Sequence, residues 1–506
     1  MSKRIKSALI SVYNKEGIAE IVNELNQLGI EIYSTGGTYD YIKSLNIEAK
    51  TIESLTGYPS ILGGRVKTLH PKVFGGILYR RQSNEDIKQV VDFQIPHIDL
   101  VIVDLYPFEE TIRSTKNEEE IIEKIDIGGI SLIRAAAKNF NDVICVASSE
   151  YYKDLIELLQ DKKGLSNIED RKYFATRAFA VSSHYDSVIF NHFNESLNLP
   201  ELRLSQTSKM QLRYGENPHQ KAQFYGNFDD MFEKLNGKEV SYNNLLDIDA
   251  TVNLLNDFNQ PAIAIIKHNN ACGFASREDL SECWDLALSA DPISAFGGII
   301  GVNREVDAAL AEKMDSLFFE ILIAPDFELK ALEILTKKKN RIILRQKHNK
   351  TTDIQIRSTL NGFLIQDKDV VYDEDYEMIC VTDRKPTEQE MKDLLFANKV
   401  VKHTKSNAIV LVKDSMMLAS GMGQTSRVDA LEQAIAKAQR FGFDLQNAVM
   451  ASDAFFPFPD CIEIGGKVGI SAIIQPGGSI KDQDSTDACN ERNIAMIHSG
   501  KRHFKH

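Results

Sequence analysis

Short apolar runs alternate with helical patterns through the first ~200 residues, and this alternation restricts the fold more than any other feature of the chain. Ser7–Val12 reads as a buried strand. Ile18, Ile21, Val22, Leu25 and Leu28 then recur at helical spacing, and Gly29 is a fitting stop. Ile30–Ser34, Ile98–Leu105 and Val143–Ala147 read as further strands, and Ile130–Lys138 as a helix. This βαβα order implies a mostly parallel sheet covered by helices. A run as continuous as Ile98–Leu105 suits a strand buried on both faces.

The pattern loosens into polar sequence around Leu197–Ser208, which places a domain boundary there: residues 1–200 form one α/β domain and 201–506 another. The second stretch again mixes strands (Ala262–Ile266, Ala408–Val412, Val468–Ile474) with helices such as Val428–Phe441. No internal repeat at a fixed period is visible. A chain of 506 residues is too long for one core, so two or three domains are expected. The net charge of −13 argues against nucleic acid, which needs a broad basic face, but leaves room for small anions held by local cations and free N–H groups. No apolar run approaches the roughly 20 residues that cross a bilayer. With no secretory pattern at the N-terminus, a cytoplasmic protein is the expectation. The six cysteines are scattered without a C-x-x-C pair, which favours neither a disulfide framework nor a zinc site. His498, His503 and His506 read as surface residues or nucleotide contacts in preference to a metal cluster.

In open parallel sheets, ligands bind beyond the carboxyl ends of the strands, and the unusual polar clusters fall at such places. Ser34, Thr35, Gly36, Gly37 and Thr38 follow a strand and open a helix, which suits a phosphate or is a plain structural turn. Gly63–Pro71 packs Arg65, Lys67, Thr68 and His70 into one irregular loop, either an anion site or a solvated surface loop. Tyr106-Pro107-Phe108 follows a strand, and Asp126-Ile127-Gly128-Gly129 precedes the helix ending in Lys138. Asp126 and Lys138 at the rim of one sheet could trade protons, or form an ordinary ion pair. In the second region, Arg213-Tyr214-Gly215-Glu216-Asn217 and Ser241–Leu245, with Asn244, lead to the strand that delivers Lys267-His268-Asn269-Asn270. A lysine and a histidine adjacent at a strand end converge only if the chain bends, and Asn269-Asn270 with Gly273 makes that bend plausible.

Taken in order, the first series resembles the inosine monophosphate cyclohydrolase domain, a methylglyoxal-synthase-like fold. The second resembles aminoimidazole-carboxamide ribonucleotide (AICAR) transformylase. It is carried by Arg213–Gln220, Lys267–Asn270, Phe296-Gly297, Asn407, Gln424–Arg427, Ser452–Asp460, Gln475-Pro476-Gly477 and Arg502-His503-Phe504. Together they run in the order of the family that carries both activities in purine biosynthesis. Ala271 stands where that family usually has proline.

The resemblance implies a transformylase region of two cytidine-deaminase-like subdomains, 10-formyltetrahydrofolate as cosubstrate, no metal, and a homodimer with transformylase sites at the interface. It also implies roles. His268 is the base that takes a proton from a weakly nucleophilic amine, Lys267 stabilises the tetrahedral oxyanion or protonates the departing nitrogen, and Asn407 polarises the formyl oxygen. For ring closure, Lys67 and Arg65 stabilise an alkoxide beside backbone N–H groups near Thr68, while Tyr106, Asp126 and Lys138 handle protons. Ser11, Lys15 and the Ser34–Thr38 turn hold phosphate or ribose. Arg213, Tyr214, Asn244, Phe296, Gly297, Gln424, Arg427, Asp453, Phe456, Gln475, Pro476, Gly477 and Arg502 are the expected substrate contacts of the second site. Zinc deaminases carry His-x-Glu with paired Cys-x-x-Cys, and this chain lacks that signature. Competing readings are a chain with one active half, or a metabolite-sensing module that binds without catalysis.

Overall fold

The computed structural model describes residues 2–347, 352–370 and 376–506. The chain divides into two compact units, Met1–Thr207 and Ser208–His506.

In the first unit, five parallel strands lie in the order Lys50–Thr51, Glu31–Ser34, Ser7–Ser11, Leu100–Val103, Ile144–Val146. The apolar runs become strands buried on both faces, and helices cover each side. Ile18–Gln27 buries Ile18, Ile21, Val22 and Leu25, and Gly29 beyond it takes a φ of 65°, as a helix stop should. Strand order reverses between Ser7–Ser11 and Leu100–Val103. The crevice at their carboxyl ends is therefore where a ligand belongs.

The second unit is built on a single twelve-stranded sheet. It contains a repeat that its residue pattern conceals. An edge strand (Phe232–Asn236), a helix (Tyr242–Asn256), a hairpin (Ala262–Lys267, Asn270–Ser276), and then three helix–strand pairs ending in Ile299–Val302, Ile321–Ala324 and Ile342–Gln346 form one half. The same order recurs about 150 residues later: Ile379–Cys380, Glu388–Lys402, Ile409–Lys413 with Met416–Gly421, then helix–strand pairs ending in Val449–Ser452, Ala472–Gln475 and Ala495–His498. In both halves the first hairpin strand pairs antiparallel with the next strand, and the last three strands are parallel. The halves join through their second hairpin strands, antiparallel at Ala275 and Met416. The expectation of no internal repeat is thus overturned at the level of topology. The strand expected over Val468–Ile474 also starts later, at Ala472, because Val468 caps the preceding helix and Gly469 turns the chain at φ 93°.

Joining two halves antiparallel has a consequence for function. The turn of the first hairpin lies at the same end of the sheet as the carboxyl ends of the second half's parallel strands. Ile409 pairs with both Gly421 and Ser452, which fixes that end.

Candidate active sites

At the switch point of the first unit, Ser11 Oγ and Thr35 Oγ1 lie 3.0 Å apart, and Thr38 Oγ1 donates to the Val12 carbonyl. Thr35 caps the helix Gly36–Ser44. An added Cβ on Gly36 or Gly37 would meet nothing within 4 Å, so the start of that helix borders open space, as an anion cradle requires. Ser34 stands apart from this cradle: it is fully buried and donates to the Ile10 carbonyl, tying adjacent strands. Lys15 curls back onto the Val12 and Tyr13 carbonyls at 2.6 and 2.8 Å, and burial with nearby Lys67 lowers its pKa despite Asp104.

Across the crevice, Asp126 Oδ1 accepts from Gly129 N at 2.6 Å. Burial raises the Asp126 pKa, opposed by N–H donors and by Lys67. A Cβ on Gly128 would come within 3.0 Å of Thr68 Oγ1, so the glycine pair lets the Thr68 loop close onto the Asp126 helix start. Tyr106 is packed edge-on against Tyr13. Burial, then Asp126, raises its phenol pKa. These placements gather Lys67, Thr68, Tyr106 and Asp126 with the cradle.

Two expected members do not join them. Arg65 is exposed and paired with Glu123. Lys138 ends the 11-residue helix whose N-terminus holds Asp126, so about 16 Å of helix separates the two, and the expected proton exchange between them is excluded within one chain. Asp104, Tyr13 and Lys124 border the site and were not expected. Asp104 accepts from Asn14 N at 2.8 Å, a contact whose partners lie 90 residues apart in sequence.

In the second unit, the bend falls on His268 and Asn269 themselves, with φ of 52° and 65°, one residue earlier than expected. Asn270 already belongs to the next strand, and Ala271 pairs with Ile266 inside the hairpin. Lys267 Nζ donates to the Phe296 carbonyl at 2.6 Å, while His268 is exposed. Two residues secure this turn: Asp247, which no sequence motif marks, and Asn270, expected as part of the bend. Asp247 accepts from Asn269 N at 2.6 Å; burial raises its carboxyl pKa, against the turn N–H groups and His268. Asn270 donates to the His268 carbonyl and accepts from Lys405 N at 2.9 Å, joining the turn to the loop that carries Asn407. The carbonyl of Gln424 accepts from both Asn407 N and Asn407 Nδ2.

The other expected contacts gather at the same end of the sheet. Arg427 forms a buried ion pair with Asp453 at 2.9 Å. Gln475 bonds His498 at 2.7 Å and accepts from Gly477 N, while Pro476 leads into two glycines with positive φ. Gly297 turns beside Phe318, Phe296 is exposed, and Arg213 stacks on Tyr214. Arg502 is exposed and stacks on Phe504.

Some expectations are corrected. Phe456 is fully buried in the core and offers no surface to a ligand. Asn244 is buried, with its side chain engaged in a capping box with Ser241 and a bond to Glu320. His503, expected at the surface or on a nucleotide, is buried between Asp369 and Tyr376.

Comparison with known proteins fits both sites. Residues 136–437 match the family described as AICARFT/IMPCHase bienzyme, and residues 17–131 match the MGS-like domain. A bifunctional purine biosynthesis protein PurH from Bacteroides thetaiotaomicron is 59% identical over 100% of this chain and 99% of its own. Proteins of the same description from Aquifex aeolicus and Caldicellulosiruptor saccharolyticus are 48% and 47% identical, each over 99% of this chain and 100% of their own.

Proposed function

The chain belongs to the AICARFT/IMPCHase bienzyme family, and on that premise we propose how its residues divide the last two steps of purine biosynthesis, formyl transfer and ring closure. We assign ring closure to residues 1–200 and formyl transfer, with 10-formyltetrahydrofolate as the donor, to 201–506. One observation carries the assignment: the Lys267-His268 turn and the loops bearing Asn407, Gln424, Arg427, Asp453 and Gln475 share one end of one sheet.

The amine of the aminoimidazole nucleotide is a weak nucleophile, so its attack on the formyl carbon needs a base that accepts a proton as the bond forms. His268, exposed at the tip of a fixed turn, is that base, its ring nitrogen free to take the proton. Lys267 brings an ammonium to the developing oxyanion and, as the tetrahedral intermediate collapses and its bond to folate N10 breaks, gives a proton to the departing nitrogen; its bond to the Phe296 carbonyl holds it at the rim. Asn407 polarises the formyl oxygen, its side-chain amide oriented by Gln424. Arg427, Gln475, Gly477 and Arg502 border the same rim and supply donors for nucleotide and folate.

Ring closure joins two groups already on one molecule, so positioning contributes most. The Ser11–Thr38 cradle anchors the phosphate. Lys67 and the N–H groups near Thr68 stabilise the alkoxide, and Tyr106 with Asp126 passes the protons whose movement releases water. Burial raises the Asp126 carboxyl and so makes it a better proton acceptor. Lys67→Ala is expected to lower ring closure at least a hundredfold while formyl transfer proceeds, measured by absorbance on each partial reaction. Unchanged ring closure would refute the assignment.

The reading includes a homodimer and a cytoplasmic location. The hairpin Ile354–Thr359/Gly362–Asp367 supports the first. It pairs with no other strand among the described residues, and Ile354, Ile356, Phe363 and Ile365 share one face, each 39–61% exposed. Such a ribbon is marginal in water alone, and a second copy of the chain is the proposed cover. Dilution below the dimer dissociation constant should abolish formyl transfer and largely spare ring closure; equal loss of both would count against shared sites. All six cysteines are free thiols, as suits a reducing compartment.

A further inference from the structure

Beside the ring-closing site a lysine is held by two aromatic rings, and neither the resemblance nor the mechanism above uses it. Lys124 Nζ lies 5.2 Å from the centroid of the Tyr13 ring and 5.7 Å from that of Tyr106. The rings meet edge to face, 5.5 Å apart at 88°. We propose that Lys124 is a positioning residue of ring closure, its ammonium clamped between Tyr13 and Tyr106 to steady negative charge on the Tyr106 oxygen.

The backbone around it is fixed for such a task. The hydroxyl of buried Tyr185 donates to the Lys124 carbonyl at 2.6 Å and accepts from Asp126 N at 2.9 Å. One side chain from the long helix Ile168–Leu197 therefore sets both the clamped lysine and the catalytic carboxylate, two residues apart. Lys124 and Asp126 approach Tyr106 from the same segment.

The surroundings of Tyr106 explain why a cation is needed. Burial disfavours its phenolate, and the charge of Asp126 does so again. Tyr13 faces it from the neighbouring strand end. Asp104 and Lys67 lie close enough to Asp126 to act on it, in opposite senses, and Lys15 stands beyond them against Asp104 and Lys67. Lys124 is the cation that faces the Tyr106 ring itself. A cation over an aromatic face at such a distance is strong enough to offset part of these penalties.

The inference rests on the reading of Tyr106 as a proton carrier, and the experiment separates the two. The ionisation of Tyr106 is followed by ultraviolet difference titration, with Tyr106→Phe identifying its signal, in the full-length protein and in Lys124→Met and Lys124→Arg. The pH profile of ring closure is recorded on the same proteins, with formyl transfer as the check on folding. Lys124→Met should move the Tyr106 titration, and the limb of the profile that Tyr106 governs, to higher pH by about 0.5–1 unit. Lys124→Arg should restore most of the shift, and formyl transfer should be unchanged in both. A Tyr106 titration in Lys124→Met that coincides with the parent would overturn the clamp. Ring closure surviving in Tyr106→Phe would instead overturn the proton-carrier reading, while the titration still reports on the clamp.

Discussion

The two hairpins of the second unit are built alike and differ where the chemistry is. In the first, Lys267 leads into His268 and Asn269, both at positive φ, and Asp247 accepts from Asn269 N. In the second, Lys413 leads into Asp414 and Ser415, again both at positive φ, and Asp393 accepts from Asp414 N and Ser415 N at 2.9 and 2.7 Å. A carboxylate from the preceding helix capping a tight turn is thus part of the scaffold, present whether or not the turn carries a base. What distinguishes the first hairpin is an imidazole at its tip, since each hairpin's turn lies at the end of the sheet that carries the carboxyl ends of the other half's parallel strands. At the corresponding place in the second hairpin the turn carries a carboxylate and a hydroxyl, and the neighbouring strand end is closed by Asn303, which bonds Ala262 N and the Phe258 and Gln260 carbonyls. One end of the sheet is arranged for a reaction and the other for stability.

This contrast can be broken by exchange. The double substitution His268→Asp with Asn269→Ser installs the second turn's residues in the first; since those residues already adopt that turn at 414 and 415, the fold should persist. Formyl transfer should fall by a factor of about 10²–10⁴, the range for loss of a general base, with ring closure intact. Retained formyl transfer would show that the turn's shape, and not its imidazole, matters. Asp247→Asn should lower formyl transfer about tenfold by loosening the turn, whereas Asp393→Asn should reduce stability by about 1–2 kcal/mol with little change in rate; denaturant midpoints and initial rates separate the two.

The halves also meet through corresponding residues. Asp257 and His403 each follow the equivalent helix of their half, and His403 Nε2 lies 2.6 Å from Asp257 Oδ2, with Lys402 Nζ at 2.8 Å. Burial alone would raise Asp257, but the His403 bond and the Lys402 charge outweigh it and hold its pKa below the ordinary value, while burial lowers the pKa of His403 itself. A depressed aspartate stabilises the fold above its unfolded pKa and loses that contribution as pH falls through the folded value. Asp257→Asn should therefore lower stability by about 1–3 kcal/mol at pH 7, and the difference from the parent should shrink as pH falls below about 4. Lys413→Ala, at the position matching Lys267, should change neither activity by more than about twofold, because its ammonium bonds the Gln446 carbonyl, at 2.8 Å, at the other end of the sheet.

Much of the fold was legible because it depends on apolar periodicity. The helix read over Ile18–Leu28 forms as Ile18–Gln27, the strand read over Ile98–Leu105 forms in its centre as Leu100–Val103, and that read over Ala262–Ile266 forms as Ala262–Lys267, since each buries the residues its pattern singles out. The repeat was not legible, because its two copies share topology while the residues at corresponding turns, His268-Asn269 and Asp414-Ser415, have diverged. Motif membership gave the neighbourhood of each site but not the orientation within it. Phe456 lies inside a motif and points into the core, Asn244 lies inside another and caps a helix, and Lys138 stands a full helix away from Asp126. The residues missed, Asp104, Lys124 and Asp247, make their site contacts through bonds or ring contacts that no local pattern marks.

Formyl transfer should depend on the first hairpin's turn, and ring closure on a separate unit. His268→Ala, assayed at full length on each partial reaction, separates the two. Formyl transfer should fall by a hundredfold or more, with ring closure of the formylated nucleotide at the parent rate. Formyl transfer at the parent rate, or both reactions lost together in a folded protein, would contradict this division.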